Sequence, residues 1–397
     1  MRILKKYAPE LTAMLAMLMA LAAVAAFTGQ WPWQENPYNS YTLQACAWLE
    51  GRLDLGRDYP WLELAIYQDA YYVSFPPFPS YVLLPFAALC GTATPDGWIA
   101  LCCTMLGVFF AVRLYREQVG EKHLYFWVMF LFLGTGYPFI AVNGYVWFIA
   151  QNMCFTLSLM ALYFAAKNHG GLSLGCWACA VGCRPMVLLF FPVLACLLWR
   201  SRREKKLTSL LKKRWYWVLP PAIIGGSYML LNYLRFDSVL EFGHNYLPEF
   251  TRTTTGQFNW SYLEGNIANL LRLPELQDSR LSFYSADGNA FWLVIPLFLP
   301  LFAGWVIALI RRRGPLLLRI FLPLLAIGYV LILCLHRTLG GWQWGDRYLL
   351  DILPWCWMGL LCWMPEKPVF HRLSALPAAW GVAITLIGTV ACYNYWL

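Results

Sequence analysis

GWIALCCTMLGVFFAVRLY (97–115), HLYFWVMFLFLGTGYPFIAV (123–142) and WFIAQNMCFTLSLMALYFAA (147–166) follow one another with only short polar gaps. Each run is about 20 residues long, the length of helix that crosses a bilayer core. Between them they hold one lysine or arginine, Arg113, and no acid. In lipid a chain must satisfy its backbone groups internally, which a helix does. Similar runs recur at 11–28, 171–184, 186–200, 215–233, 290–310, 315–336, 349–364 and 373–395, making eleven predicted membrane helices. Composition agrees, at 60% hydrophobic, 17% aromatic and 13% charged residues. Soluble domains carry roughly 25% charged residues, so an ordinary cytosolic enzyme is excluded, as is a disordered chain. The expected fold is an all-α polytopic membrane protein, with 1–397 forming one integral membrane domain.

The charges give this bundle an orientation. Of the 30 lysines and arginines, 21 fall in 1–10, 113–122, 167, 200–214, 311–319 and 367–372, whereas 16 of the 21 acids fall in the alternate segments. The positive-inside rule makes the first set cytoplasmic, and the N-terminus with it. The net charge of +9 therefore reports topology, with anionic membrane lipids as its partner and no nucleic acid. Arg200, Arg202, Arg203, Lys205, Lys206, Lys212, Lys213 and Arg214 form an inner anchor. Arg2, Lys5 and Lys6 before an apolar run that contains Ala23-Val24-Ala25 imitate a signal peptide, but the length of the run favours an uncleaved anchor. Of the 13 cysteines only Cys46 lies clearly in an outer loop, so no disulfide framework is expected. Cys176-Trp177-Ala178-Cys179 has redox spacing without an electropositive setting, and reads as packing.

Two long outer segments, 30–96 and 234–289, interrupt the helices. In the first, Asn36-Pro37 reads as a helix cap with a first-turn proline. Tyr41, Ala45, Trp48 and Leu49 then recur at helical spacing, as in a helix lying in the interface with its aromatic edge in the headgroups. Phe78 to Cys90, a stretch of about 13 residues just after Pro76-Pro77, is too short to span and reads as a juxtamembrane or re-entrant helix. Polar residues gather at the same boundary. Asn143-Gly144-Tyr145 joins the third and fourth helices, Arg184-Pro185 caps a helical hairpin, and the late outer loop runs from His336 to Tyr348. An arginine at membrane level is costly and marks a functional or paired group.

Several stretches resemble the GT-C superfamily of polytopic glycosyltransferases, in the branch of the protein O-mannosyltransferases and lipid A aminoarabinose transferases. They are NSYTLQACAWLEGRLDL (39–55), IYQDAYYVSFPPFPSY (66–81), RFDSVLEFGHNYLPEFTR (235–252) and GWQWGDRYLLDILP (341–354). The similarity follows one order along nearly the whole chain. It implies a GT-C-like bundle with juxtamembrane helices in the first outer loop. The implied activity is inverting transfer of a sugar from a polyprenyl-phosphate-linked donor to a cell-envelope glycan, lipid or protein. The setting is the extracytoplasmic face of a bacterial plasma membrane. Where that branch carries its two aspartates, this chain has Glu35 and Asn143.

Such a reaction needs a general base and cations for the departing phosphate. Glu35, by family position, and Glu63, at the start of the tyrosine-rich stretch, are the catalytic candidates. Arg184, Arg347 with the adjacent Tyr348, and His244 are candidates for the phosphate or sugar, and Asn143 and Tyr72 are further substrate-binding candidates. Plainer roles stand beside these: a salt bridge from Arg347 to Asp351 one turn on, a headgroup contact for Arg184, and a structural histidine at His244. No metal-ligand spacing stands out, and no bound cofactor is expected. The competing readings are a transporter or flippase for lipid-linked sugars, and a non-catalytic relative that binds lipid-linked glycan. A transporter would show internal pseudo-symmetry, whereas this sequence concentrates its polarity on one face.

Overall fold

Prolines stand at or beside several of the points where helices of this chain break, although Pro85, Pro323 and Pro377 lie inside continuous helices. The computed structural model describes residues 6–201, 207–277, 280–283 and 288–396; Arg2, Lys5, Arg202, Arg203, Lys205 and Lys206 lie outside them. Five helices among the described residues are long and apolar enough to cross a membrane: Ala8–Thr28, Asp96–Gln118, Val146–Ala166, Leu316–Leu335 and Pro368–Tyr393. Five of the other expected spans are divided rather than continuous. Residues 123–142 form Leu124–Leu133 and Tyr137–Ala141, with Pro138 entering the second piece; 290–310 form Phe291–Val294 and Phe298–Arg311 around Pro296. The spans at 186–200, 215–233 and 349–364 begin as the 3₁₀ turns Pro185–Phe190, Trp215–Val218 and Arg347–Ile352 before continuing as Phe191–Ser201, Leu219–Phe236 and Leu353–Trp363. Proline lacks the donor that an interior helical position requires, but is tolerated in a first turn.

The Val146–Ala166 helix is the axis of the bundle, with most of its surface buried. It packs chiefly against Asp96–Gln118 and Gly170–Val181. Two adjacent amides on this apolar helix lock it in place. Asn152 Nδ2 donates to Ala100 O and Thr104 Oγ1, each at 2.9 Å, and its Oδ1 accepts from Tyr137 Oη at 2.7 Å. Gln151 points the other way, toward the late loop.

The first outer segment differs from expectation in three respects. Its helix is Ser40–Leu49, starting after Asn39. Asn36 instead pins the preceding chain, donating to Asp96 Oδ2 and Gly144 O, both at 2.8 Å. Tyr41 and Ala45 are buried in protein, because the helix packs on Phe78–Cys90, where Ser80 Oγ donates to Tyr41 O and Gln44 Oε1. Its apolar edge therefore meets a neighbouring helix rather than headgroups. Between the two helices lies an antiparallel hairpin, Leu64–Tyr67 with Ala70–Val73, Leu64 opposite Val73. Gln68 and Asp69 form its turn with φ of 48° and 60°, the left-handed pair of a type I′ turn.

Basic segments meet at one end of the bundle. There Glu10 takes both Arg113 and Arg116, Lys167 pairs with Glu117, and Arg313 with Glu366. The opposite end is closed by the 337–346 loop, whose Trp344 is buried against Gly388 on the last helix and the ring of Phe283. A Cβ on Gly388 would stand 2.0 Å from the Trp344 indole. Overpacking of this kind costs about 1–3 kcal/mol. Gly388→Ala is expected to lower the unfolding temperature of the detergent-solubilised protein, whereas Gly225→Ala, with nothing within 4 Å of its Cβ, does not lower it. Thermal unfolding followed by tryptophan fluorescence checks the pair.

Candidate functional site

The chain on either side of the hairpin (Glu63 and Ser74 to Pro76), the Val146–Ala166 helix, the bend at Arg184, the 240–249 loop and the 336–351 segment surround one cavity of about 480 Å³. It draws walls from both long segments read as outer loops, 30–96 and 234–289.

Its floor is built around Asp351, which is fully buried. Three elements donate to its carboxylate: Gln151 Nε2 at 2.7 Å, Arg184 Nε at 2.9 Å and Tyr329 Oη at 2.9 Å. The salt bridge that the sequence allows from Arg347 to Asp351 does not form; Arg184 occupies the carboxylate instead. Arg347 is also buried, with Nη2 on Gly340 O at 2.6 Å and Nη1 on Gln151 Oε1 at 3.5 Å. Both guanidiniums sit over the ring of Tyr348, 4.4 Å away for Arg184 and 4.6 Å for Arg347. A tyrosine face attracts cations, so one ring holds together two like charges that would otherwise separate. Arg184 spends only Nε on Asp351. Its two terminal amino groups hydrogen-bond to none of the described residues, and the side chain is 21% exposed.

Glu63 stands on another wall. It immediately precedes the hairpin, whose Ser74 Oγ donates to Glu63 O at 3.1 Å. Arg235, buried beyond, grips Val73 O. The Glu63 carboxylate accepts from Trp147 Nε1 at 3.0 Å and opens into the cavity. Crowding by protein raises its proton affinity above the ordinary carboxylate range, with Glu249 adding to the shift and Trp147 and Arg347 opposing it. His244 and His336 complete the lining, their rings 6.0 Å apart. Burial pushes His244 down to about 4, helped by the charges of His336 and Arg184, and pushes His336 down as well. Both imidazoles are neutral near pH 7. The cavity thus offers free arginine donors, neutral imidazoles and a carboxylate of raised basicity. Among the described residues no three His, Cys, Asp or Glu side chains are gathered to hold a metal ion.

Of the residues singled out in the sequence, Glu63, Arg184, His244, Arg347 and Tyr348 line this cavity. Glu35, Asn143 and Tyr72 do not. Glu35 is exposed on the 31–37 turn. Asn143 ties the last helix to the first loop, donating to Tyr393 Oη at 2.7 Å and Gln30 Oε1 at 3.3 Å. Tyr72 packs on Phe236. Sequence reasoning gave no site role to Asp351, Gln151, Tyr329, His336 or Trp147. The amide pair Gln151-Asn152 inside the apolar 147–166 run is the sequence signal that points to Gln151.

No protein-family model matches the sequence, and no curated protein matches it. Solved structures do. ArnT from Cupriavidus metallidurans bound to undecaprenyl phosphate is similar with a TM-score of 0.54 at 13% identity, covering 96% of this chain and 76% of ArnT. Its apo state gives 0.50 at 14% identity, over 96% and 77%. The chain is an all-α polytopic membrane protein whose fold is similar to that of ArnT.

Removing a partner from a buried ion pair costs about 3–5 kcal/mol; Arg184 is partly exposed, so Asp351→Ala falls toward the lower figure. Chemical denaturation in detergent is expected to show that loss, and Asp351→Asn, whose single carbonyl oxygen can still accept from Tyr329 on the Oδ2 side while its amide nitrogen loses the bond from Gln151, to lose less.

Proposed function

We propose that this chain is a membrane glycosyltransferase that moves a sugar from a polyprenyl-phosphate-linked donor to a cell-envelope acceptor. Its cavity would face the extracytoplasmic side of the plasma membrane, and the transfer would invert the anomeric centre. The observation that carries this reading is the pairing, across one cavity, of Arg184's unpartnered amino groups with the Glu63 carboxylate. The similarity of fold to ArnT, and the undecaprenyl phosphate bound by that protein, support the donor class.

In this reading the donor phosphate docks on Arg184, with Arg347 and the Tyr348 ring behind it. Arginine presents planar paired donors that suit phosphate oxygens. Glu63 takes the proton from the acceptor hydroxyl as its oxygen attacks the anomeric carbon from the face opposite the phosphate. The bond from that carbon to the phosphate oxygen breaks, and the departing polyprenyl phosphate keeps the electron pair beside the arginines. Neutral His244 and His336 offer hydrogen bonds to sugar hydroxyls without competing for the phosphate charge. Trp147 holds the Glu63 carboxylate in place.

A placed general base contributes about 10²–10⁴-fold. Glu63→Gln is therefore expected to reduce transfer of label from radioactive polyprenyl-phosphate sugars to an envelope extract by that factor, and Glu35→Gln to leave it within about twofold. Because Glu63 must be ionised and its proton affinity is raised, activity rises with pH through a limb above the ordinary glutamate value of about 4.3. Full activity in Glu63→Gln would contradict the assignment. Movement of intact donor across liposomes without bond cleavage would favour a flippase.

A further inference from the structure

At the basic end of the bundle, away from the site described above, two further cavities adjoin. One, of about 490 Å³, is polar and is formed by the loops around 118–123, 313–314 and 361–366, with His371. The other, of about 430 Å³, is an apolar groove between Phe298–Arg311 and Pro368–Tyr393, lined by residues such as Leu299, Ala303, Ile307 and Leu373. They share Arg313, Pro365 and Glu366.

We propose that these two cavities form one binding site for an anionic phospholipid, with its phosphate headgroup in the polar cavity and an acyl chain in the groove. This site is independent of the transferase reading.

The polar cavity is built for negative charge. Lys122, His123, Arg313 and His371 line it, against a single acid, Glu366, which is largely exposed and pairs with Arg313 at 3.4 Å. His123 and His371 stack with ring centroids 4.2 Å apart. His371 Nδ1 accepts from Trp127 Nε1 at 3.2 Å, which leaves Nε2 as the protonated nitrogen of the neutral ring. The loop is fixed rather than adjustable, because Tyr115 Oη donates to Lys122 O at 2.6 Å. The groove supplies what a free anion would not need. Its wall is almost wholly apolar, it runs along two helices, and Arg311 and Lys367 stand at its polar end beside Arg313. Cations at the end of an apolar slot match a lipid that carries its charge at the head of its chains.

Native mass spectrometry of the full chain released from detergent tests the site, using phosphatidylglycerol, phosphatidylcholine with the same acyl chains, and inorganic phosphate. Phosphatidylglycerol is expected to bind at least fivefold more tightly than phosphatidylcholine. Lys122→Gln combined with His123→Gln should remove that preference, and Leu373→Trp, which fills the groove, should weaken phosphatidylglycerol retention with the headgroup residues intact. Millimolar phosphate should not displace the lipid. Equal binding of the two lipids would overturn the proposal, and so would displacement by phosphate alone, a preference that survives the Lys122→Gln/His123→Gln change, or undiminished retention in Leu373→Trp. Unchanged thermal unfolding of each variant shows that it is folded, and the conservative Lys122→Arg should retain the preference.

Discussion

One buried carboxylate holds the cavity end of this bundle together. Asp351 accepts from Gln151 on the central helix, from Arg184 at the bend 167 residues away and from Tyr329 on the Leu316–Leu335 helix. A carboxylate taken out of water is tolerated only when its lone pairs are satisfied and its charge is paired. Asp351 meets both conditions by drawing three separate elements onto itself. The direction of each donor then follows: Arg184 must present its remaining amino groups to the cavity, and Gln151 must face the late loop, where its carbonyl oxygen meets Arg347.

From that constraint comes the electrical character of the site. Two guanidiniums share one tyrosine ring, and only one of them has a carboxylate partner. The adjacent imidazoles are neutralised by burial and by the arginine charge. An incoming phosphate would complete a charge arrangement that the protein leaves open. On a separate wall the hairpin holds Glu63, kept apart from the arginines by its bond to Trp147. A carboxylate and a guanidinium that salt-bridged directly would neutralise each other. Here Asp351 binds Arg184 and Trp147 binds Glu63.

Much of this was legible in the sequence, for identifiable reasons. Helix-length apolar blocks announce membrane spans directly, and charged or polar residues at their edges mark one boundary. That logic reached Arg184, His244, Arg347, Tyr348 and Glu63. It did not separate Glu35 from the cavity, because a position counted from the end of the first helix says nothing about the turn at 31–37. Asn36 ties that turn to Asp96 and Gly144, and Glu35 faces away. Asp351 was hidden by a plausible local partner, Arg347, four residues earlier. The real partner lies 167 residues distant, and no local pattern encodes it. The 64–73 hairpin escaped notice because its type I′ turn uses Gln68-Asp69 without the glycine that usually signals one. Five spans read as continuous are divided at or beside a proline, but Pro85, Pro323 and Pro377 lie inside unbroken helices, so a proline in the sequence does not by itself mark the break.

In the proposed reaction a phosphate meets Arg184 while Glu63 faces it across the cavity. A cryo-electron microscopy structure of the full chain with bound polyprenyl phosphate tests this most directly. Phosphate density is expected within hydrogen-bond distance of the terminal amino groups of Arg184, with the Arg184–Asp351 pair preserved and the Glu63 carboxylate left free toward the opposite side. Phosphate bound elsewhere, with this cavity empty, would contradict the proposed reaction.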